Sequence, residues 1–260
     1  MSYVDAHIHL ADAGYAGKVE ELIADSAQHN VSMLLSNAVD YETSIQTIQL
    51  AKQYPGRVLA AVGVHPSTVT FEPNRNLQLE KFEQTIKQDA EYISAIGEIG
   101  LDGKYTQDRS LKRQQLETFR FFLRLAERQK LPVVVHSRQA VEETLKTLAE
   151  FNLRQVLLHW YDGPPEKLLP LKNQGYFISI GPALLYSRRI SEIARTTDLS
   201  MILTETDGPV PYRGLFESQL TKPSFVIEVV RKLSEVKSVN PESARDSIHL
   251  QFQRYISHNG

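Results

Sequence analysis

The 260-residue chain contains no cysteine, which removes disulfides, thiol catalysis and cysteine-ligated zinc from consideration together. It also lacks any apolar run near the roughly 18–20 residues that a membrane helix needs. No basic segment followed by an apolar stretch opens the sequence, so a secretory leader is not expected and a cytoplasmic location is. Charge of one sign is not in excess either: 29 Lys and Arg stand against 31 Asp and Glu, a formal net charge of −2. That balance argues against a protein that coats nucleic acid by bulk positive charge, and leaves open one that processes it at a local site. Low-complexity tracts, linkers and internal repeats are missing as well, so one domain over residues 1–260 is expected.

What the chain has is alternation. Short apolar or β-branched runs recur at residues 3–9, 31–36, 58–64, 92–96, 132–136, 155–159, 175–180 and 201–204. The gaps between them carry helical periodicity, as at residues 111–129, where Leu116, Phe119, Leu123 and Ala126 share one face. Strands alternating with helices imply crossover connections and a parallel sheet. Eight such units in this length match a TIM (β/α)8 barrel, with a doubly wound open sheet as the competing architecture. Two more helices are expected at the C-terminal end. One covers 223–236, and the other opens at Asn240-Pro241 with Ala244, Ile248, Phe252 and Ile256 on one face. The longest irregular stretch, 206–222, follows the eighth run and reads as a functional loop.

The ionisable residues gather at the ends of these runs. The first ends Asp5-Ala6-His7-Ile8-His9, and alternation puts Asp5, His7 and His9 on the face opposite Val4, Ala6 and Ile8. Two inward imidazoles at that spacing can share one cation. His65 closes the third run before Pro66. In the fourth, Glu98 is embedded in Gly97-Glu98-Ile99-Gly100, where a bare carboxylate would cost several kcal/mol unless paired or metal-bound. His136 and His159 close the fifth and sixth runs, and Glu205-Thr206-Asp207 closes the eighth. Taken singly, each has a bland reading as a capped turn, a satisfied core histidine or a paired carboxylate. Six of eight strand ends so equipped point instead to a divalent-metal site at the mouth of a barrel. Among the eight histidines, His29, His249 and His258 fall on helices or the tail and read as surface or packing residues.

These motifs, in this order, resemble the TatD family of metal-dependent hydrolases, one of the amidohydrolase-like barrels. The resemblance rests on His7-Ile8-His9, Gly63-Val64-His65-Pro66, Gly97-Glu98-Ile99-Gly100-Leu101-Asp102, Val135-His136-Ser137-Arg138, His159 and Glu205-Thr206-Asp207, from about residue 3 to residue 209. It implies a TIM barrel, two divalent metal ions (zinc, magnesium or manganese) and deoxyribonuclease activity, with DNA as the partner. It further implies that His7, His9 and Asp207 hold one ion and that His136 and His159 hold the second, with Glu98 bridging. His65 matches a family position near the substrate phosphate, and Arg138 is the other expected substrate contact. The sequence departs from the family at Gly103-Lys104-Tyr105, where many members place aromatics. It departs again at His159-Trp160-Tyr161-Asp162-Gly163, against His-Cys-Phe-Ser-Gly, and at Ser247–Phe252, where an asparagine motif is usual. These changes touch the walls and spare the ligands.

The expected chemistry is metal-assisted hydrolysis, with Asp207 accepting the proton of the attacking water and Glu98 and His65 as the other catalytic residues. Lys104, Arg138 and Arg213 are candidate phosphate contacts; Trp160, Tyr161 and Tyr212 are candidate base-stacking residues. Glu205 either orients a ligand or forms a structural salt bridge. Two other readings compete: an amidohydrolase acting on a small amide or ester, and a non-catalytic metal-binding scaffold.

Overall fold

The computed structural model describes residues 1–72 and 77–257; His258 lies outside them. Its strands are β1 (Tyr3–Ile8), β2 (Val31–Asn37), β3 (Val58–Val62), β4 (Ile93–Gly100), β5 (Val133–His136), β6 (Val156–Leu158), β7 (Phe177–Ile180) and β8 (Ile202–Thr204). The helices are α1 (Val19–Gln28), α2 (Tyr41–Gln53), α3 (Pro66–Phe71), α4 (Leu79–Gln88), α5 (Arg109–Gln129), α6 (Val141–Leu148), α7 (Leu168–Asn173), α8 (Arg188–Thr196), α9 (Val226–Lys237) and α10 (Pro241–Ile256). The strand order of the sheet is the chain order, β1 through β8. A doubly wound sheet reverses its order at a switch point, and this one does not, so the alternation resolves in favour of the (β/α)8 arrangement.

The chain forms two compact units. The first joins Met1–Ser36 to Trp160–Ser257 and contains the parallel pairs β1–β2 and β7–β8. Here α10 packs against β1 and β8. Asn240 starts that helix by accepting from the backbone N–H groups of Glu242 and Ser243. Its buried stripe is Ala244, Ile248, Phe252 and Tyr255. Ile256, expected on this face, is only half-buried, because at 3.6 residues per turn Tyr255 returns to the azimuth of Ala244 and the next residue rotates past it. The helix expected over 223–236 opens as one 3₁₀ turn, Pro223–Phe225, before α9. The long loop is irregular apart from a 3₁₀ turn at Gly214–Phe216.

The second unit, Asn37–His159, holds β3 to β6, paired in parallel in that order. Its β4 differs from expectation, continuing to Gly100. The sequence Gly-Glu-Ile-Gly looks like strand punctuation, but both glycines serve close approach to β5. A Cβ on Gly97 would lie 2.7 Å from the Val134 Cβ, and one on Gly100 (φ +142°) would collide with the His136 carbonyl oxygen. The β4–β5 register shifts between Ile96 and Ile99. Glu98 therefore sits within an irregular strand, buried, with its carboxylate aimed by the backbone.

Candidate metal centre

In the first unit the donors come from the end of β1 and the residues after β8. The Nε2 atoms of His7 and His9 lie 3.1 Å apart with their rings edge to face. Asp207 Oδ1 is 3.4 Å from the first and 3.2 Å from the second. The backbones are laced together: Asp207 N–H donates to the His7 carbonyl and His9 N–H to that of Gly208, both at 2.8 Å. Asp207 holds a left-handed conformation (φ +48°) that a residue with a Cβ adopts at a cost. Its neighbour Thr206 is buried and bonded at three points. Its N–H and Oγ1 donate to Asp5 at 3.0 and 2.5 Å, and its carbonyl accepts from Tyr212 Oη at 2.6 Å. Burial of Asp5 pushes its carboxyl up to about 8, against the opposing hydrogen bonds from Thr206 and His7.

In the second unit three imidazoles face one carboxylate oxygen. Glu98 Oε1 is 2.9 Å from His136 Nδ1, 2.8 Å from His159 Nε2 and 3.3 Å from His65 Nε2. His136 Nδ1 is also 3.3 Å from His159 Nε2. The tautomers follow from the outer partners. Nε2 of His136 lies 2.8 Å from Asp102 Oδ2. That carboxylate also accepts from Arg138 Nε and an Nη at 2.9 and 2.7 Å, and from the backbone N–H groups of Lys104 and Tyr105. Burial alone would raise the Asp102 carboxyl, but the contacts with His136 and Arg138 reverse this and hold it at about 2. Asp102 is therefore ionised, and His136 donates to it through Nε2–H. The lone pair of His136 Nδ1 is left facing Glu98 Oε1. Two acceptors at that separation need a proton or a cation between them. Burial resists a charge on His136, yet the bonds to Asp102 and Glu98 raise its pKa above the ordinary value.

His65 is arranged differently. As the cap of α3, its Nδ1 accepts from the Ser67 N–H at 3.0 Å. The proton of the neutral ring is thereby placed on Nε2, aimed at Glu98. His65, Glu98 and His136 lie close enough together to form a cation-binding group, but the tautomer suits His65 to donating rather than ligating. Nitrogen and carboxylate oxygen without sulfur is the donor set of zinc or manganese, and its carboxylates also accept magnesium. The residues present fit such an ion.

Other expected residues separate on inspection. Arg138 spends two nitrogens on Asp102 and lies over the Tyr105 ring, 4.0 Å from its centroid. Lys104 and Arg213 are exposed. Tyr161 and Tyr212 are buried, with hydroxyls donating to the carbonyls of Pro164 and Thr206, so neither offers a face to a base. Trp160 remains, half-buried and stacked on Tyr212 at 5.8 Å. Glu205 accepts from Trp160 N–H at 2.9 Å and Ser179 Oγ at 2.6 Å. His29 is exposed beside Asp25, and His249 is half-buried against Ser2 Oγ. Sequence reasoning assigned no role to Asp5 or Asp102. The signal was available for Asp5, which shares the strand face of His7 and His9; for Asp102 only the fold brings its partners to it.

Comparison with known proteins identifies relatives of this chain. The model of the TatD related DNase family matches residues 4–257. Human deoxyribonuclease TATDN3 is 31% identical over 248 residues, covering 93% of this chain and 90% of that protein. An uncharacterized metal-dependent hydrolase of Methanocaldococcus jannaschii is 30% identical over 256 residues, covering 98% and 97%. Among solved structures, the TatD homolog YjjV of Escherichia coli superposes with a TM-score of 0.88 at 24% identity, over 98% of this chain and 97% of that one. The TIM-barrel fold expected from the alternation is borne out. With matching sequence from β1 to the end of α10, a shared fold and clustered His, Glu and Asp donors, the chain belongs to the TatD family of metal-dependent hydrolases.

Proposed function

We propose that this hydrolase is a deoxyribonuclease that cleaves phosphodiester bonds with two divalent ions. In this reading His7, His9 and Asp207 would hold one ion, and His136 and His159, with Glu98 beside them, would hold the other. The observation that carries it is the convergence of His136 and His159 nitrogens on one Glu98 oxygen, a set of lone-pair atoms that a cation can collect. Bound ions supply polarisation of the phosphoryl oxygen and a water of lowered pKa.

The protein's own groups do the rest. Asp207 Oδ1 accepts the proton of the attacking water. His65 Nε2–H donates to a non-bridging phosphate oxygen, and the outer part of Arg138, whose side chain is 30% exposed, adds positive charge beside it. Trp160 offers its indole to a neighbouring base. With a net charge of −2, attraction to DNA comes from this site and not from the surface at large. Residues 1–260 act as one domain in this proposal, supported by the uninterrupted family match. A cytoplasmic location belongs to the same reading. Among the described residues no helix is long and apolar enough to cross a membrane.

The test is cleavage of a 3′-labelled single-stranded DNA by metal-stripped protein with magnesium, manganese or zinc restored, beside the Asp207→Asn variant. Metal-dependent cleavage that vanishes in the variant is the expected result. Bound metal without cleavage under any ion overturns the DNase reading and moves the search to RNA and to small amides and esters.

A further inference from the structure

Asp5 is fully buried on β1 and binds no partner of opposite charge that would explain a carboxylate there. What it binds is backbone and hydroxyl. Oδ1 accepts from the Thr206 N–H at 3.0 Å and the His7 N–H at 3.2 Å, and Oδ2 accepts from Thr206 Oγ1 at 2.5 Å. One donor is a ligand of the proposed ion, and the other is the residue before a second ligand. A carboxylate reaching two strand ends in this way fixes the separation of those ends, and so the distance from the imidazoles to Asp207. Asp207 itself holds a left-handed backbone (φ +48°), which aspartate adopts more readily than most residues, and the latch fixes where that turn sits.

We propose that Asp5 is a positioning residue for one ion alone: it latches the end of β1 to Thr206, so that His7, His9 and Asp207 stay convergent. The proposal rests on the two-ion reading above. A purely structural aspartate affects the whole protein; a latch affects one ion and leaves the other. The physical ground for a selective effect is that all three bonds end on the chain segments that carry His7 and Asp207. None ends on Glu98, His136 or His159.

The experiment is calorimetric titration of metal-stripped protein with Mn²⁺ or Zn²⁺ alone, with elemental analysis of the loaded protein and circular dichroism to report folding. Wild-type protein is expected to take up two ions. Asp5→Ala and Thr206→Val should each weaken one ion by about 10–100-fold, the range for residues that orient ligands, and leave the second unchanged. His136→Ala should weaken the other ion. Asp5→Asn keeps one carbonyl oxygen for the two N–H groups and should recover affinity to within a few-fold of wild type. If Asp5→Ala misfolds, Thr206→Val and Asp5→Asn decide the matter. Two ions bound with wild-type affinity in folded Asp5→Ala or Thr206→Val overturn the latch, as does equal weakening of both ions. Wild-type protein that takes up only one ion overturns the two-ion reading instead. The variants then still test the latch, since unchanged affinity for that single ion defeats it.

Discussion

Two buried aspartates stand behind the proposed ligands, one in each compact unit, and they are held in opposite ways. Asp102 meets a guanidinium and an imidazole, and these keep it ionised despite burial. Asp5 meets two backbone N–H groups and a hydroxyl, which are neutral, and burial wins, raising its carboxyl to about 8. The residue type is the same and neither side chain is accessible; Asp5 lies deeper, and the charge of the partners widens the difference. The difference in chemistry matches a difference in task. Asp102 sets the tautomer and basicity of one imidazole, His136. Asp5 touches no ligand side chain and works through the backbone of His7 and Thr206.

The comparison can be pressed at several points, beginning with the largest effect. Asp207→Asn keeps the shape of the first unit's cluster but removes the proton acceptor, so kcat for DNA cleavage should fall by about 10²–10⁴-fold with the protein still folded. If kcat holds, the proton goes elsewhere and the first unit merely binds. Next in size is the contrast between Asp102→Asn and Asp5→Asn, read by urea unfolding of the metal-stripped proteins. The former leaves the Arg138 cation without its carboxylate and should cost about 1–3 kcal/mol. The latter replaces an acceptor among neutral donors and should stay within about 0.5 kcal/mol of wild type. Equal losses would erase the distinction between the two aspartates.

Two smaller effects sharpen the assignment of the neighbouring walls. Arg138→Lys keeps the positive charge and loses the planar fork that two nitrogens present to Asp102. A few-fold loss of metal affinity without substrate is expected from the contact with Asp102. A change confined to KM would assign the residue to phosphate instead. Trp160→Ala should raise KM for an oligonucleotide by about tenfold, within the range of one lost stacking contact, and leave kcat and metal binding as they were.

Much of this molecule is legible along the chain because its signals are local. Alternating strand and helix periods survive in the sequence, since each helix must bury one face and each strand its apolar side chains. The metal-type residues stand out because histidine and carboxylate are conspicuous at the ends of apolar runs: His7, His9, Glu98, His136, His159 and Asp207 all stand there, as do His65 and Glu205, and the family resemblance separated the expected ligands from the rest. The length of β4 was not, because glycine reads as punctuation until a neighbouring strand is seen to require it. The role of Asp102 was hidden for a related reason, since its partners His136 and Arg138 lie more than thirty residues away. Tyr161 and Tyr212 looked like stacking residues until burial removed them.

Composition, periodicity and the spacing of motifs thus determined by themselves eight alternating strand and helix units, the absence of thiol chemistry and the types of ligand available; the order of the strands made those units a (β/α)8 arrangement. Only the tertiary structure decided which nitrogen of His65 and His136 faces Glu98, why the carboxyls of two buried aspartates are pushed in opposite directions, and what surrounds Asp207 in its left-handed turn. These last depend on atoms brought within about 3 Å of one another from distant parts of the chain, the range at which a hydrogen bond sets a proton's place.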